Sequence, residues 1–266
     1  MILIAILLGT LAAGIGSVWL AAALSFGALA RYTQHMLSLA AGALLSTAFM
    51  HLLPEAFESH ASAHDLFMTL LIGVVFFFLL DKAELWHHGH EHHHADEAPH
   101  HHAHHHGDSH AHTTAHAPGS WAVLTGDSVH CFGDGVLIAS AFMADMRLGV
   151  IASLAVLAHE VPHHMGDLMV LRSGTANRRA ALVKVSLAGA VTALGGLTGF
   201  WLVDQLQGYL PYFLVVASSS FIYVALADLI PQLQKHLSAR ETAAQVAWLA
   251  AGIALVVMVS SVAHAH

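Results

Sequence analysis

Two short stretches of the chain hold most of the residues whose types could do chemistry together. The first reads Asp127-Ser-Val-His130-Cys131-Phe-Gly-Asp134-Gly, and the second reads His159-Glu160-Val-Pro162-His163-His164-Met-Gly-Asp167. Imidazole, carboxylate and thiol groups in combination suit borderline divalent metals such as zinc, iron(II), manganese or cobalt. On an α-helix, at about 100° per residue, Asp127, His130, Cys131 and Asp134 share an arc of roughly 100°. His130 and Asp134 are one turn apart and can hold one ion together. The same arithmetic puts His159, Glu160, His163, His164 and Asp167 within about 140°. Pro162 removes a backbone donor from that face and is expected to kink the helix. Gly133 and Gly135 flank Asp134 and allow either close helix packing or a local break that exposes carbonyls. A polar seam closed by interhelical hydrogen bonds is the bland alternative, but five potential ligands on one kinked face are hard to explain as packing.

Weaker signals lie elsewhere. His51-Leu-Leu-Pro54-Glu55 pairs an imidazole and a carboxylate one turn apart, with Glu58 close behind. These residues either hydrate at an interface or attract cations to a mouth, and His51 and Glu55 are taken as gating or ion-access candidates. Asp127, His164 and Asp167 are placed in the same gating and access group. Asp228-Leu-Ile-Pro231-Gln232 supplies a lone acid read as a metal ligand or gate. Ser218, Ser219 and Ser220 could add hydroxyls, or simply be small residues at a helix interface. Cys131 is the one cysteine, which excludes an intrachain disulfide and a thiolate cluster.

The elements that must carry these residues are membrane helices. Of 266 residues, 56% are hydrophobic and only 10% are charged. A soluble domain is normally about a quarter charged, so this chain cannot cover a water-facing surface. About 20 apolar residues make a span. Eight are expected, at 2–23, 34–57, 65–85, 121–144, 149–171, 180–203, 210–233 and 243–263. No cation precedes the apolar run at Ile2, so the first is read as a span rather than a cleaved signal. An ionisable group inside a bilayer costs about 2.5–3.5 kcal/mol on insertion scales, so the ones above should face a cavity or each other.

The expected fold is therefore an all-α integral membrane protein. Residues 1–85 hold spans 1–3 and residues 121–266 hold spans 4–8. Between them, residues 86–120 form a His-rich loop that is expected to be disordered. Fifteen of the 26 histidines lie between His87 and His116. Such a tract binds Zn²⁺, Ni²⁺ or Cu²⁺ weakly and in many geometries, which suits capture, buffering or sensing rather than transport. Of the nine cations, Arg31, Lys82, Arg172, Arg178, Arg179, Lys184, Lys235 and Arg240 fall on one side of an eight-span chain, and only Arg147 falls on the other. The positive-inside rule makes the first side cytoplasmic, with both termini outside and the His-rich loop inside. The Pro54 and Pro231 motifs are alike but run in opposite directions. They suggest an inverted repeat relating spans 1–3 to spans 6–8 around spans 4 and 5.

These residues resemble the ZIP (Zrt-, Irt-like protein) family of divalent metal transporters over nearly the whole chain. The span 4 motif is similar to the family's H-N-x-x-D/E-G, and the span 5 motif to the H-E-x-P-H-E-x-G-D of one large branch. H-L-L-P-E-A in span 2 and A-L-A-D-L-I-P in span 7 also look like family patterns. The resemblance implies transport of a divalent metal, zinc first, with Fe²⁺, Mn²⁺ or Cd²⁺ as other substrates. It implies movement into the cytoplasm across the plasma or inner membrane, by alternating access in a homodimer. It also implies a primary site from His130, Asp134, His159 and His163, joined by Asp228, and a second site from Glu160 and Cys131. Cys131 stands where the family usually has Asn, and His164 where it usually has Glu.

No cofactor is required on this reading. No nucleic acid is expected as a partner; the partners are metal ions and the lipid bilayer. An intramembrane zinc protease is the sharpest rival, because His159-Glu160-Val-Pro162-His163 formally matches H-E-x-x-H. Pro162 between the histidines, the surplus ligands and the repeat argue against it. A membrane metal sensor or buffer, built on the His-rich loop, is the other rival.

Overall fold

A computed structural model describes residues 1–25, 33–89, 119–174, 178–233 and 238–264. Among the described residues there are eight long helices and no strand. Helix α1 covers 2–25 and α2 covers 33–57. Helices α3 (Ala63–Gly89), α4 (Gly119–Ala144), α5 (Met146–Gly174) and α6 (Arg178–Gln205) follow. Helix α7 covers 210–233 and α8 is Ala239–His264. Six of the eight are long and apolar enough to cross a membrane by length and composition. The other two are α4 and α5, which carry the two polar motifs.

Most helices run past the apolar stretches that predict them. Helix α3 reaches Gly89 and α4 begins at Gly119, because a nucleated helix propagates into polar sequence at little cost. Of the expected loop, residues 90–118 lie outside the described residues, as do Arg31 and Lys235.

Of the two alternatives at Gly133 and Gly135, close packing holds at Gly135 and α4 runs on without a break. Helix α5 continues through Pro162 without interruption. The irregular turns are elsewhere, as π-helical segments at Ala12–Gly16 in α1, Ala48–Leu52 in α2 and Val224–Leu229 in α7. In α2 and α7 the π turn ends two residues before the proline, and His51 and Asp228 occupy its penultimate position. A widened turn there accommodates the carbonyl that the proline cannot bond.

Small residues bring the backbones together. A Cβ added to Gly135 would overlap the α6 backbone at Thr192, Gly195 and Gly196, and one added to Gly42 would overlap Leu249 of α8. These approaches set the α4–α6 and α2–α8 pairings, and α3 lies along α7. The neighbour pattern is reciprocal. Exchanging α1 with α6, α2 with α7, α3 with α8 and α4 with α5 turns the α2–α8 contact into α7–α3. The same exchange turns α2–α5 into α7–α4 and α4–α6 into α5–α1, and every one of these pairs is in contact.

Gly135→Ala should therefore lower the thermal unfolding midpoint of the purified protein, by an overpacking cost of about 1–3 kcal/mol. Gly133→Ala, whose added carbon meets nothing within 4 Å, should leave the midpoint unchanged.

Candidate metal centre

Asp145 alone separates α4 from α5, and it fixes how their polar faces meet. Its Oδ1 accepts hydrogen bonds from the backbone N–H groups of Arg147 (2.8 Å) and Leu148 (3.4 Å), capping α5. Counting from this turn, His130 lies 15 residues before Asp145 and His159 lies 14 after it. At 1.5 Å per residue both are about 21–23 Å from the turn. Cys131 and Glu160, at 14 and 15 residues, share that depth. Glu160 also has 14 residues of α5 on either side of it (146–159 and 161–174). The two motifs thus meet near the mid-length of their helices.

Four side chains converge on a first cluster: His130, Asp134, His159 and Glu160. His159 Nε2 is 3.1 Å from Asp134 Oδ2 and 3.3 Å from Glu160 Oε1. His130 Nε2 is 3.2 Å from Glu160 Oε1, 3.4 Å from His159 Nε2 and 3.8 Å from Asp134 Oδ2. Ligand atoms held about 2.0–2.2 Å from a tetrahedral Zn²⁺ stand about 3.3–3.6 Å apart, so the spacing already fits such an ion.

A second cluster joins Asp127, Cys131, Glu160 and His164. Glu160 Oε2 is 3.1 Å from His164 Nε2 and 3.8 Å from Cys131 Sγ. Asp127 Oδ1 is 3.7 Å from each of the same two atoms. Glu160 thus gives one oxygen to each cluster and bridges them. A third group, Asp127, His163 and Asp167, adjoins the second through Asp127.

Cys131 Sγ is placed to donate to Asp127 Oδ1 or Glu160 Oε2, and His130 Nε2 pairs with His159 Nε2, but other ligand atoms are left unmatched. Asp127 Oδ2, Asp134 Oδ2, Glu160 Oε1, His163 Nδ1, His164 Nε2 and Asp167 Oδ2 are buried and lack hydrogen-bond partners. Orphaned polar atoms are rare in interiors and costly. Here they are arranged as ligand sets aim at a shared cation.

A backbone carbonyl and a serine hydroxyl orient two of the imidazoles. His159 Nδ1 lies 3.3 Å from the Ala155 carbonyl, which can only accept, so Nδ1 carries the proton and Nε2 presents its lone pair to the first cluster. His164 Nδ1 lies 2.9 Å from Ser17 Oγ of α1. Ser17 already donates its one hydroxyl proton to the Gly14 carbonyl at 2.6 Å, within the π turn. It must therefore accept from His164, whose Nε2 then faces the second cluster. Ser17 escaped the sequence reading because a serine in a small-residue stretch carries no ligand signal. The proximity of α1 to α5 had to be seen.

The structure rearranges the ligand sets expected from the sequence. His163 is not in the first cluster. Its ring stacks on His130 at 5.4 Å between centroids, and its Nδ1 faces Asp167 (3.4 Å) and Asp127 (3.7 Å). Glu160 belongs to both clusters rather than to the second alone. His164 and Asp127 are in the second cluster rather than at a gate. Asp228 is not among the converging ligand atoms; it lines a cavity of about 170 Å³ with Asp127, His130, His159, Pro162, His163 and Tyr223. His51 and Glu55 line a separate cavity of about 440 Å³, with Glu58, Asp145 and Arg147. Ser218 and Ser219 bond their own helix, and Ser219 abuts Gly73 of α3, so those two are packing residues. The protease geometry is also lost. The two histidines of the H-E-x-x-H pattern face different groups instead of one ion.

Comparison with known proteins adds an independent line. The family model described as "ZIP Zinc transporter" matches residues 83–260. Zinc transporter ZIP4 of Homo sapiens is 38% identical over 116 residues, covering 43% of this chain and 18% of its own length. Zinc transporter foi of Drosophila melanogaster is 30% identical over 142 residues, 53% of this chain and 20% of its own length. Zinc transporter ZIP13 of Pongo abelii is 28% identical over 281 residues, 96% of this chain and 77% of its own length. The chain spans about a fifth of the length of the first two and about three quarters of the third.

The Ser17 contact is testable with Co²⁺, because Cys131 is the one cysteine and only it can give a thiolate-to-cobalt charge-transfer band. Ser17→Ala should weaken the binding that this band reports by about 10–100-fold, the usual effect of losing an outer-shell partner. Ser17→Thr, which keeps the hydroxyl, should restore it.

Proposed function

The chain belongs to the ZIP zinc transporter family, a family of transporters rather than enzymes, and on that premise we propose that it moves divalent transition-metal ions across a membrane, zinc foremost. The observation that carries this reading is the pair of largely buried ligand clusters, rich in unmatched polar atoms and joined by Glu160, at mid-length in α4 and α5. A resident structural metal would need neither two adjoining clusters nor a cavity alongside. An ion in passage uses both.

The path we infer runs from the end of the bundle where α4 turns into α5. There Glu55, Glu58 and Asp145 draw cations into the 440 Å³ cavity. Fully buried Leu44, Ala48, Ala152, Ala155 and Val156 form an apolar layer between that cavity and the clusters. The cavity holding Asp228 opens from the clusters toward the opposite end, where α3 finishes and α6 and α8 begin. Lys82, Arg179, Lys184 and Arg240 lie at that end, which the positive-inside rule makes cytoplasmic. The site is thus accessible from one side only, as alternating access requires, and the ion is carried inward.

The reciprocal helix contacts and the matched π turns of α2 and α7 support the inverted repeat. In transporters such a repeat lets one bundle rock against another around a fixed site. The π turns beside Pro54 and Pro231 are natural hinges for that movement.

Zn²⁺ uptake into proteoliposomes tests the proposal. The full chain should give saturable uptake, and His159→Ala should reduce it to the level of empty vesicles. Deleting residues 90–116 should leave uptake in place, with changed half-saturation or regulation. Uptake that vanishes with the tract but survives His159→Ala would make the protein a buffer or sensor instead.

A further inference from the structure

We propose that Asp127, His163 and Asp167 form a third metal station, which receives the ion from the second cluster and passes it to the cavity. The inference rests on the transport reading, and it assigns a site to His163 and Asp167, which belong to neither bridged cluster, together with Asp127 of the second.

Three observations support it. His163 Nδ1 is 3.4 Å from Asp167 Oδ2 and 3.7 Å from Asp127 Oδ1, and the three ligand atoms lie within 4.8 Å of one another. Asp127 is 4% exposed and Asp167 8% exposed, yet Asp127 Oδ2, His163 Nδ1 and Asp167 Oδ2 have no hydrogen-bond partners. Two carboxylates this close and this buried repel strongly unless a cation or a shared proton lies between them. The imidazole makes a cation the better fit, because the three groups together form a His and two-carboxylate set with a position left open.

The third observation is connectivity. Asp127 Oδ1 is 3.7 Å from Cys131 Sγ and His164 Nε2 on one side, and 3.7 Å from His163 Nδ1 on the other. Asp127 therefore stands between the second and third groups as Glu160 stands between the first and second. Each handover can proceed with one carboxylate holding the ion throughout. His163, Asp127, His130 and His159 all line the cavity, and the side chain of His163 is the most exposed of them, at 37% against 25% for His130 and 2% for His159. The third station thus holds the most accessible of these ligands. With three protein ligands and water completing the shell, it should hold the ion less tightly than the four-ligand first cluster, which is what release requires.

Anomalous scattering from Zn²⁺-loaded crystals of the full chain provides the test, because it gives positions and is not confused by zinc held on the His-rich tract. The expected result is a peak bounded by Asp127, His163 and Asp167, in addition to density in the first two clusters. Asp167→Asn should erase that peak alone. In vesicles it should slow Zn²⁺ turnover several-fold with little change in the half-saturating concentration. Peaks in the first two clusters with none at the third would overturn the station and identify a shared proton there. No peak in any cluster would overturn both the station and the transport reading. Turnover unchanged in a folded Asp167→Asn protein would remove the station from the path.

Discussion

Glu160 is 1% exposed and lies midway along a helix of 29 residues, with its two oxygens against three imidazole nitrogens. A carboxylate at that depth is expensive unless it is paired or coordinates a cation. Much of the surrounding structure follows from satisfying it. Imidazoles come from α4 and from α5 itself, and the outer nitrogens of His159 and His164 are tied to a carbonyl and a serine. With two faces to fill, one carboxylate joins two adjoining ligand clusters. The apparent excess of ligands in the two motifs is thereby explained.

Close packing supplies the precision. Gly135 lets α4 lie directly on the α6 backbone, and Gly14, in the π turn before Ser17, meets Gly189 of α6. That turn is where Ser17 bonds the carbonyl of Gly14 and orients His164. The one-residue connection at Asp145 does the equivalent work along the helix axis, because nearly equal residue counts on either side, 15 and 14, bring His130 level with His159. Small residues and a tight turn fix the ligand atoms, while the π turns beside Pro54 and Pro231, the proposed hinges, sit on α2 and α7, which supply no atom to either cluster.

Much of this was legible beforehand, and the failures have identifiable causes. Apolar run length revealed the helices, and the 100° rule correctly placed the ligand residues of α4 and α5 on single faces. An arc does not say which partner each side chain meets. His163 shares a face with His159 but its ring turns toward Asp127 and Asp167, so it left the first cluster. Isolation in an apolar run marks Asp228 as a metal ligand or gate, and it lines the cavity beside the clusters without joining either. The irregular turns before Pro54 and Pro231 are π segments that composition does not announce. The symmetric spacing about Asp145 was present in the sequence. It becomes informative once the turn between the two helices is known to be a single residue.

The central claim is that Glu160 holds the metal path together by bridging two clusters. Zn²⁺ uptake by proteoliposomes carrying Glu160→Gln tests it most directly, since the amide keeps the shape but removes the charge both clusters share. The account predicts a folded protein whose uptake falls to that of empty vesicles. Uptake at the unsubstituted rate would contradict it.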